Sequence, residues 1–382
     1  MRLESATAYA LRIPFVEGFS HSTKSRTFSD AVVVKVRSTA GVDGFGEALP
    51  RPYVTGETVD TMLAHLKERL WPRVRGIDPG CAAENPSPEA LLAFSEHVPA
   101  GEVERETTHN ASRAALELAL IDCWLRSAKL STGAFLPPER GTVIYSGVIT
   151  TGSVERTAKL ARQMRLLGLT RLKIKVGAAD DLERLRAVRE VVGPEVSLRV
   201  DANGAWDPQQ AVEKLRSMEP LGIAAAEQPI PRGDVRDLVK VSAESPIPIM
   251  VDESLISTAD AESLISARAC QYFNVRISKC GGLGPTIAIA KLALESGVGL
   301  QVGSQVGETA ILSAAGRHVA AWLPDVAFVE GSFGKLLLSQ DVSAEDISFG
   351  YGGEAPALKG VGFGVRVLEE RLRRYATKVV EL

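Results

Sequence analysis

Three acidic residues recur at nearly equal intervals in the middle of this sequence, each at the end of a short apolar segment. Asp201, Glu227 and Asp252 lie 26 and 25 residues apart. Such an interval matches one strand and one helix, and the carboxyl ends of successive strands meet at one mouth of a parallel barrel. A single Asp at such a place is often a turn or helix-cap residue. Three acidic residues at nearly equal intervals instead predict carboxylates that converge on one site.

The chemistry of such a site follows from its donor atoms. Carboxylate oxygens without His or Cys are typical ligands of Mg²⁺, with Mn²⁺ as an alternative. Without a cation, three clustered carboxylates repel one another. The acidic residues Asp201, Glu227 and Asp252 therefore predict a magnesium site.

Lysines continue the same spacing on both sides of the acids. Lys175 lies 26 residues before Asp201, and Lys279 lies 27 residues after Asp252. On a strand, Lys173 and Lys175 point to the same face. In an interior, burial and like charge favour a neutral amine that acts as a base; on a solvated edge strand, the same pair only aids solubility.

This constellation indicates proton transfer next to a carboxylate. A metal that binds a substrate carboxylate stabilises the enolate left when the α-proton is removed. Lysines on opposite sides of the metal, Lys175 from strand two and Lys279 from strand six, remove or return that proton. Lowering a lysine pKa from about 10.4 to near 7 requires roughly 4.6 kcal/mol. Lys173 and burial are the expected sources for Lys175, and burial and Arg276 for Lys279.

The elements that position these residues alternate between short apolar strands and amphipathic helices. This alternation predicts an α/β fold with a modified parallel (β/α) barrel over residues 140–338. The predicted strands are Val143–Val148, Arg171–Val176, Ser197–Asp201, Ala224–Glu227, Ile249–Asp252, Tyr272–Ser278, Gly299–Gly303 and Ala327–Glu330.

The N-terminal part has a different pattern. Residues 30–48 alternate like an antiparallel hairpin, and helical periodicity follows at residues 58–70 and 112–125. We predict an α+β domain over residues 1–130, completed by a C-terminal segment, residues 339–382. Residues 78–108 show little periodicity and predict a surface insertion.

Composition excludes several classes of function. The chain has 382 residues, 45% of them hydrophobic and 24% charged, and a formal net charge of -3. No basic footprint for nucleic acid or anionic membrane is present. The N-terminus lacks the apolar core of a signal peptide, so we expect a cytoplasmic protein. The four cysteines, Cys81, Cys123, Cys270 and Cys280, show no spacing typical of zinc sites or disulfide frameworks.

Together these motifs resemble the enolase superfamily, specifically the muconate lactonizing enzyme subgroup of the mandelate racemase/muconate lactonizing enzyme family. The resemblance covers nearly the whole chain. It is carried by Lys173-Ile-Lys175, Asp201-Ala-Asn203, Glu227-Gln-Pro229, Asp252-Glu-Ser254 and Lys279.

The resemblance implies a role for each matching residue. Mg²⁺ binds to the three acids, Lys175 and Lys279 are the acid/base catalysts, and Lys173 modulates Lys175. It also implies a homo-oligomer and a capping domain whose loops, here residues 15–28 and 49–57, close over the substrate.

Two departures from relatives bear on the substrate. The mandelate racemase subgroup is known for a catalytic His at strand seven, which residues 301–308 lack. Dipeptide epimerases resemble this chain in the loop at residues 52–57. They carry Asp-x-Asp near strand eight, where this chain has Val329-Glu-Gly-Ser-Phe-Gly334. Neither His-based dehydration nor dipeptide specificity is therefore favoured.

Five further residues are candidates for contact with the substrate or with the metal ligands. Asn203 orients a ligand or caps a turn, Glu253 supports Asp252, and Glu308 reaches the mouth or begins a helix. Arg26 and Tyr53 are candidates in the cap loops. Two other features favour structural roles: Gly281-Gly-Leu-Gly284 forms a plain loop or an anion-binding one, and His318 is packed in a helix.

The sequence leads to a main hypothesis with alternatives. The protein is expected to abstract the α-proton of a small carboxylate, leading to cycloisomerisation or to racemisation or epimerisation of an amino-acid derivative. Syn-dehydration, as in o-succinylbenzoate synthase or an acid dehydratase, is the alternative outcome. A Schiff-base aldolase using Lys279 and a non-catalytic metal-binding protein are alternatives from other classes.

Overall fold

The computed structural model describes residues 2–21, 24–77, 85–101, 103 and 107–382. Its N-terminal strands are β1 (Leu3–Leu11), β2 (Ile13–His21), β3 (Lys24–Ser29), β4 (Val32–Ser38) and β5 (Asp43–Ala48). Strand β4 pairs antiparallel with β1 and with β5, and β2 pairs with β3. Residues 15–28, predicted to be a loop, therefore contribute mostly to a two-stranded hairpin.

Helices cover this N-terminal sheet. They are α1 (Val59–His65), a π-helical turn (Leu66–Leu70), α2 (Trp71–Val74), α3 (Pro88–Ser95), α4 (Asn110–Ala128) and α5 (Thr132–Phe135). Helix α3 lies inside the predicted insertion at residues 78–108, parts of which fall outside the described residues. Because Leu91 and Phe94 of α3 are buried, this part of the insertion packs against the core.

A sheet of eight parallel strands dominates the rest of the chain. After β6 (Thr142–Ile144), its strands are β7 (Gly147–Ile149), β8 (Arg171–Lys175), β9 (Ser197–Asp201), β10 (Ile223–Glu227), β11 (Ile249–Val251), β12 (Tyr272–Val275), β13 (Gly299–Val302) and β14 (Phe328–Val329). They neighbour one another in sequence order from β7 to β14. The first and last strands meet where the Ser146 N–H donates to the Val329 carbonyl at 2.8 Å.

Helices alternate with these strands, as predicted. They are α6 (Val154–Leu166), α7 (Asp181–Val192), α8 (Pro208–Met218), α9 (Val235–Glu244), α10 (Thr258–Ser266), α11 (Ile277–Cys280), α12 (Leu283–Glu295) and α13 (Ala310–Trp322). The predicted fold class is confirmed.

Two predicted strands differ from the observed ones by more than one residue at an end. The segment Val143–Val148 is divided between β6 and β7, because β6 pairs outside the barrel sheet with β15 (Glu354–Pro356). The segment Tyr272–Ser278 ends as a strand at Val275, and α11 follows as a single helical turn. Lys279 therefore lies on a helical turn and not at a strand end.

The C-terminal segment returns to the N-terminal sheet. It contains α14 (Glu369–Tyr375) and β16 (Ala376–Glu381), which pairs antiparallel with β1. The domain bounds 1–130, 140–338 and 339–382 stay a prediction. The described helices are all too short or too polar to pass through a lipid bilayer.

The cysteines that the structure describes form no disulfide bond. Cys123, Cys270 and Cys280 are all buried, whereas Cys81 lies outside the described residues. His318 is also buried in α13, where its Nε2 is 3.2 Å from the Phe363 carbonyl. Burial lowers the pKa of His318 to about 4, so the predicted packed role fits its surroundings.

The carboxylate of Glu117 joins helix α4 to the barrel. It is fully buried and accepts hydrogen bonds from the backbone N–H groups of Leu283 and Gly284 at the start of α12. Arg113 and Ser95 also donate to it. The anion held by the Gly-rich loop is thus a side chain of the protein itself.

Glycine is required in that loop for steric reasons. Gly282 has a φ of +128°, and a Cβ there would overlap the Glu117 carboxylate. A backbone in this region favours glycine. The loop sequence therefore serves the contact between α4 and the barrel.

We expect the substitution Glu117→Ala to lower the free energy of unfolding by about 3 to 5 kcal/mol, because it leaves the buried Arg113 without its carboxylate. Urea denaturation at neutral pH measures this change. The control Glu213→Ala alters an exposed residue of α8 and is expected to change stability by less than about 0.5 kcal/mol. Equal stabilities of the two variants would contradict a stabilising role of the Glu117 carboxylate between α4 and the barrel.

Candidate active site

The structure brings the three predicted acids to one edge of the barrel sheet. Asp201 is the last residue of β9, Glu227 is the last residue of β10, and Asp252 directly follows β11. These strands are neighbours, and Asp201 is in register with Glu227. Each acid is at most 2% exposed, so each carboxylate needs a buried partner.

The two lysines of β8 are partners of Asp201. Its Oδ2 lies 2.5 Å from the Nζ of Lys175 and 3.2 Å from the Nζ of Lys173. Although burial raises the pKa of a carboxyl group, these two lysines hold the pKa of Asp201 below its usual value. Burial alone would lower the pKa of Lys173, but Glu227, Glu330 and Asp201 raise it. These three carboxylates therefore favour the charged form of Lys173.

Glu330 and Arg199 complete this cluster, and the sequence reasoning assigned neither of them a role. Lys173 Nζ lies 2.8 Å from the Glu330 carboxylate, which also pairs with the fully buried Arg199. Burial opposes ionisation of Glu330, but Lys173 and Arg199 lower its pKa to about 2. In the sequence, the sign of a role for Arg199 is its charge inside the apolar segment Ser197–Asp201. The structure places Arg199 in register with Lys173.

On the other side of the acids, Asp252 pairs with Arg276. Arg276 directly follows β12, and its Nε donates to Asp252 Oδ1 at 2.8 Å. Its guanidinium also donates to Gln305 at 3.1 Å. The sequence indicated Arg276 only as a neighbour of Lys279. In the structure, Arg276 itself lies at the end of β12.

Lys279 lies beneath Asp252. Its Nζ donates to the carbonyls of Asp252 and Asn274 at 2.6 and 2.8 Å and lies 2.9 Å from Asp252 Oδ1. The residue is 0% exposed. Burial lowers its pKa to about 8. The structure thus brings Lys279 next to the acids but encloses it.

Amide side chains orient two of the acids. The Asn274 and Gln301 amides donate to the Glu227 carboxylate at 2.9 and 3.0 Å. Gln228 accepts from the backbone N–H groups of Asp252 and Ser254 at 2.9 and 3.1 Å. These contacts fix the strand ends that carry the acids.

Asn203 links Lys175 to Glu253. Its Oδ1 accepts from Lys175 at 2.8 Å, and its Nδ2 donates to Glu253 Oε1 at 3.2 Å. Burial and the charge of Asp201 raise the pKa of Glu253. Both residues line the cavity, so neither points away from it.

A cavity of about 290 Å³ opens at this edge of the barrel. Lys173, Lys175, Asp201, Asp252 and Arg276 form its polar floor. Its apolar wall is formed by Leu160, Met164, Leu167, Leu169, Phe333, Leu336 and Phe349.

The remaining candidates differ in their distance from the cavity. Arg26 and Tyr53 line its rim, where Arg26 pairs with Asp30 at 2.7 Å and Tyr53 is 42% exposed. Glu308 is not among the described residues that line the cavity. It accepts hydrogen bonds from Gln305 and Ser313 in a smaller recess. Burial and Glu47 raise the pKa of Glu308 to about 8.

The carboxylates of the three acids form a possible donor set for a metal ion. The oxygens are of the hard type that suits Mg²⁺, and Asp201, Glu227 and Asp252 lie on adjacent strands. Among the described residues, no three Asp, Glu, His or Cys side chains are arranged to hold an ion. Asp201 and Asp252 are instead engaged by Lys175 and Arg276. The donors therefore fit Mg²⁺ in type and in their position at the ends of adjacent strands.

Comparison with known proteins gives a consistent set of relatives. Residues 156–371 match the family described as Enolase C-terminal domain-like. The chain is 31% identical to L-Ala-D/L-Glu epimerase of Bacillus subtilis, covering 81% of this chain and 82% of that protein. It is 27% identical to chloromuconate cycloisomerase of Delftia acidovorans, covering 98% and 99%.

Solved structures agree over the whole chain. N-succinyl Arg/Lys racemase from Bacillus cereus has a TM-score of 0.90 and 25% identity, with 100% of both chains covered. A dipeptide epimerase from Cytophaga hutchinsonii, complexed with Mg and the dipeptide D-Ala-L-Val, has a TM-score of 0.86 and 26% identity, again with 100% of both chains covered.

Substitutions of Asn203 separate its backbone from its side chain. Asn203 has a φ of +46°. An alanine adopts this φ at a cost of about 1 kcal/mol, whereas a glycine adopts it without that cost. Asn203→Gly and Asn203→Ala both remove the bridge to Lys175 and Glu253. We expect Asn203→Gly to be more stable by about 1 kcal/mol in urea denaturation. A less stable glycine variant would contradict this account.

Proposed function

Since this chain belongs to the Enolase C-terminal domain-like family and is an isomerase of the enolase superfamily, we propose that it abstracts the α-proton of a small carboxylate substrate with Lys175. The supporting observation is the position of the Lys175 amine. It lines the cavity and contacts Asp201 Oδ2, the same carboxylate oxygen that Lys173 contacts.

The residues around Lys175 support its role as a base. Asp201 and Asn203 contact its Nζ at 2.5 and 2.8 Å and fix its direction. Asp201 is also one of the residues that would hold the metal, so the base and the metal site share this carboxylate. Lys173 keeps its charge through Glu227 and Glu330.

Asp201, Glu227 and Asp252 are the proposed ligands of Mg²⁺, with Mn²⁺ as an alternative. When bound, the ion stabilises the negative charge of the enolate on the substrate carboxylate. A donor set of three carboxylates supports this assignment, as does the Mg in the structure of the dipeptide epimerase.

The cavity favours a compact substrate with an apolar part. The carboxylate faces the charged floor, and the rest of the substrate contacts the wall that includes Leu160 and Phe349. Because Glu330 is engaged by Lys173 and Arg199, it is not available to bind a substrate ammonium. This feature favours an N-acylated amino acid or a dicarboxylate over a substrate with a free amine.

Several parts of the sequence hypothesis remain predictions. If a second group delivers a proton on the opposite face, as proposed for Lys279, racemisation or epimerisation results. With one base, cycloisomerisation or syn-dehydration results. A homo-oligomer and a cytoplasmic location also remain predictions. A Schiff-base aldolase is disfavoured because the Lys279 amine is enclosed.

The role of Lys175 is tested by exchange of the α-proton in deuterated water with Mg²⁺. The probes are N-succinyl-L-lysine, L-Ala-L-Glu and muconolactone, followed by NMR. We expect the wild type to exchange at least one probe and Lys175→Met to exchange it at least 100-fold more slowly.

The control for this experiment is Lys159→Met, which alters an exposed lysine of α6 and should exchange at the wild-type rate. Undiminished exchange in Lys175→Met would exclude Lys175 as the base. Borohydride trapping of an aldehyde or ketone substrate on Lys279 would favour the aldolase instead.

A further inference from the structure

The cation that faces the cavity across the acids from Lys175 is an arginine. Lys175 ends β8, and Arg276 directly follows β12, so the acid-bearing strands β9, β10 and β11 lie between them. The guanidinium of Arg276 lines the cavity. Asp252 and Gln305 hold it at 2.8 and 3.1 Å.

Arg276 also fits the spacing of the site better than Lys279. Asp252 is the first residue after β11, and Arg276 is the first residue after β12. Arg276 lies 24 residues after Asp252, close to the earlier steps of 26 and 25 residues between acids. Lys279 is three residues further along, where the chain has already turned into α11.

The surroundings of Lys279 suit a structural cation. An ammonium group has three N–H donors, and three oxygens of Asp252 and Asn274 lie within 2.9 Å of the Lys279 Nζ. Lys279 is 0% exposed and is not among the described residues that line the cavity. It joins the residue after β11 to the end of β12, and its three N–H donors are used in these contacts.

We propose that Arg276 occupies the face of the site opposite Lys175 and that the enzyme transfers protons on the Lys175 face alone. This inference rests on the proposed function, in which Lys175 is the base. A guanidinium has no acceptor and is not deprotonated in proteins. It can stabilise negative charge on the enolate, but it cannot take a proton from the substrate.

One-sided proton transfer selects among the outcomes that two bases would allow. Racemisation requires a proton to leave one face and another to arrive on the opposite face. With Lys175 alone, the proton returns to the face that it left, so configuration is retained.

Two reactions remain balanced with one base. In cycloisomerisation, a substrate carboxylate oxygen forms a bond to a carbon of a conjugated double bond, and the electron pair moves into the enolate. The Lys175 ammonium then gives its proton to the α-carbon. In syn-elimination, Lys175 takes the α-proton, the C–O bond at the β-carbon breaks, and the leaving hydroxide receives the proton as water. We infer that cycloisomerisation is the isomerase reaction of this site.

Exchange with defined stereochemistry tests the inference. Muconolactone and the separate enantiomers of N-succinyl-lysine are incubated with the wild type and Mg²⁺ in deuterated water, and products are resolved by NMR and chiral chromatography. We expect deuterium to enter with retention of configuration and less than 1% of the opposite enantiomer to form. Interconversion of the enantiomers with solvent deuterium in the product would overturn the inference.

The variant Arg276→Lys supplies an amine at the opposite face. We expect it to interconvert the enantiomers of a probe that the wild type exchanges with retention, at a rate at least tenfold above that of the wild type. Arg276→Gln is the matched control, because it removes the cation without adding a base, and it should show no interconversion. Equal interconversion by both variants would contradict the assignment.

A second measurement does not depend on any substrate. Reductive methylation of the native protein, followed by peptide mass spectrometry, compares the accessibility of the two lysines. We expect Lys279 to react at least tenfold more slowly than Lys175. Equal rates would overturn the inference even if no probe is exchanged, whereas failure of exchange with a protected Lys279 would count against the proposed function alone.

Discussion

The site depends on the neutralisation of buried carboxylates at one edge of a parallel sheet. Asp201, Asp252 and Glu330 each contact a cation, and a buried charge that loses its partner costs several kcal/mol. Lys173, Lys175 and Arg276 therefore stabilise the folded acids as well as lining the site. The same contacts bear on the chemistry of the site, because two of the carboxylates that would hold an ion, Asp201 and Asp252, are the ones that contact Lys175 and Arg276.

The fold supplies this edge and keeps it in place. Parallel strands bring their carboxyl ends together, so residues about 25 positions apart in the chain become neighbours. Gln228 holds the backbone at Asp252, and Asn274 and Gln301 hold Glu227. The N-terminal helix α4 is fixed to the barrel by the Glu117 carboxylate.

Much of this arrangement could be predicted from the sequence because strand spacing is periodic. The acids and the pair Lys173 and Lys175 are found by that period alone. The position at which β12 ends is not found by that period, because the apolar residues Ile277 and Cys280 extend the pattern beyond the strand. A lysine can act as an acid or a base, whereas a guanidinium is not deprotonated in proteins, so residue type alone favours Lys279 over Arg276.

Other parts of the structure carry no local signal. Glu117 lies in a helix whose charged residues are expected to face solvent, and only the tertiary contact with residues 281–284 explains its burial. Helix α3 lies in a stretch rich in Pro and Glu, where Leu91 and Phe94 are too few to establish a period. Glu330 follows a strand of only two residues, Phe328–Val329, so its place beside Lys173 depends on the closed order of the sheet.

The most direct test of the account is whether Mg²⁺ stabilises the folded protein through the three acids. Urea denaturation is measured with and without Mg²⁺ for the wild type and for Glu227→Gln. For each protein, the free energy of unfolding with Mg²⁺ is compared with that of the same protein without Mg²⁺. At 100 times the dissociation constant, the wild type should gain about 2.7 kcal/mol, and the variant should gain much less. Equal gains in both proteins, or no gain in the wild type, would contradict the assignment of Asp201, Glu227 and Asp252 as a metal site.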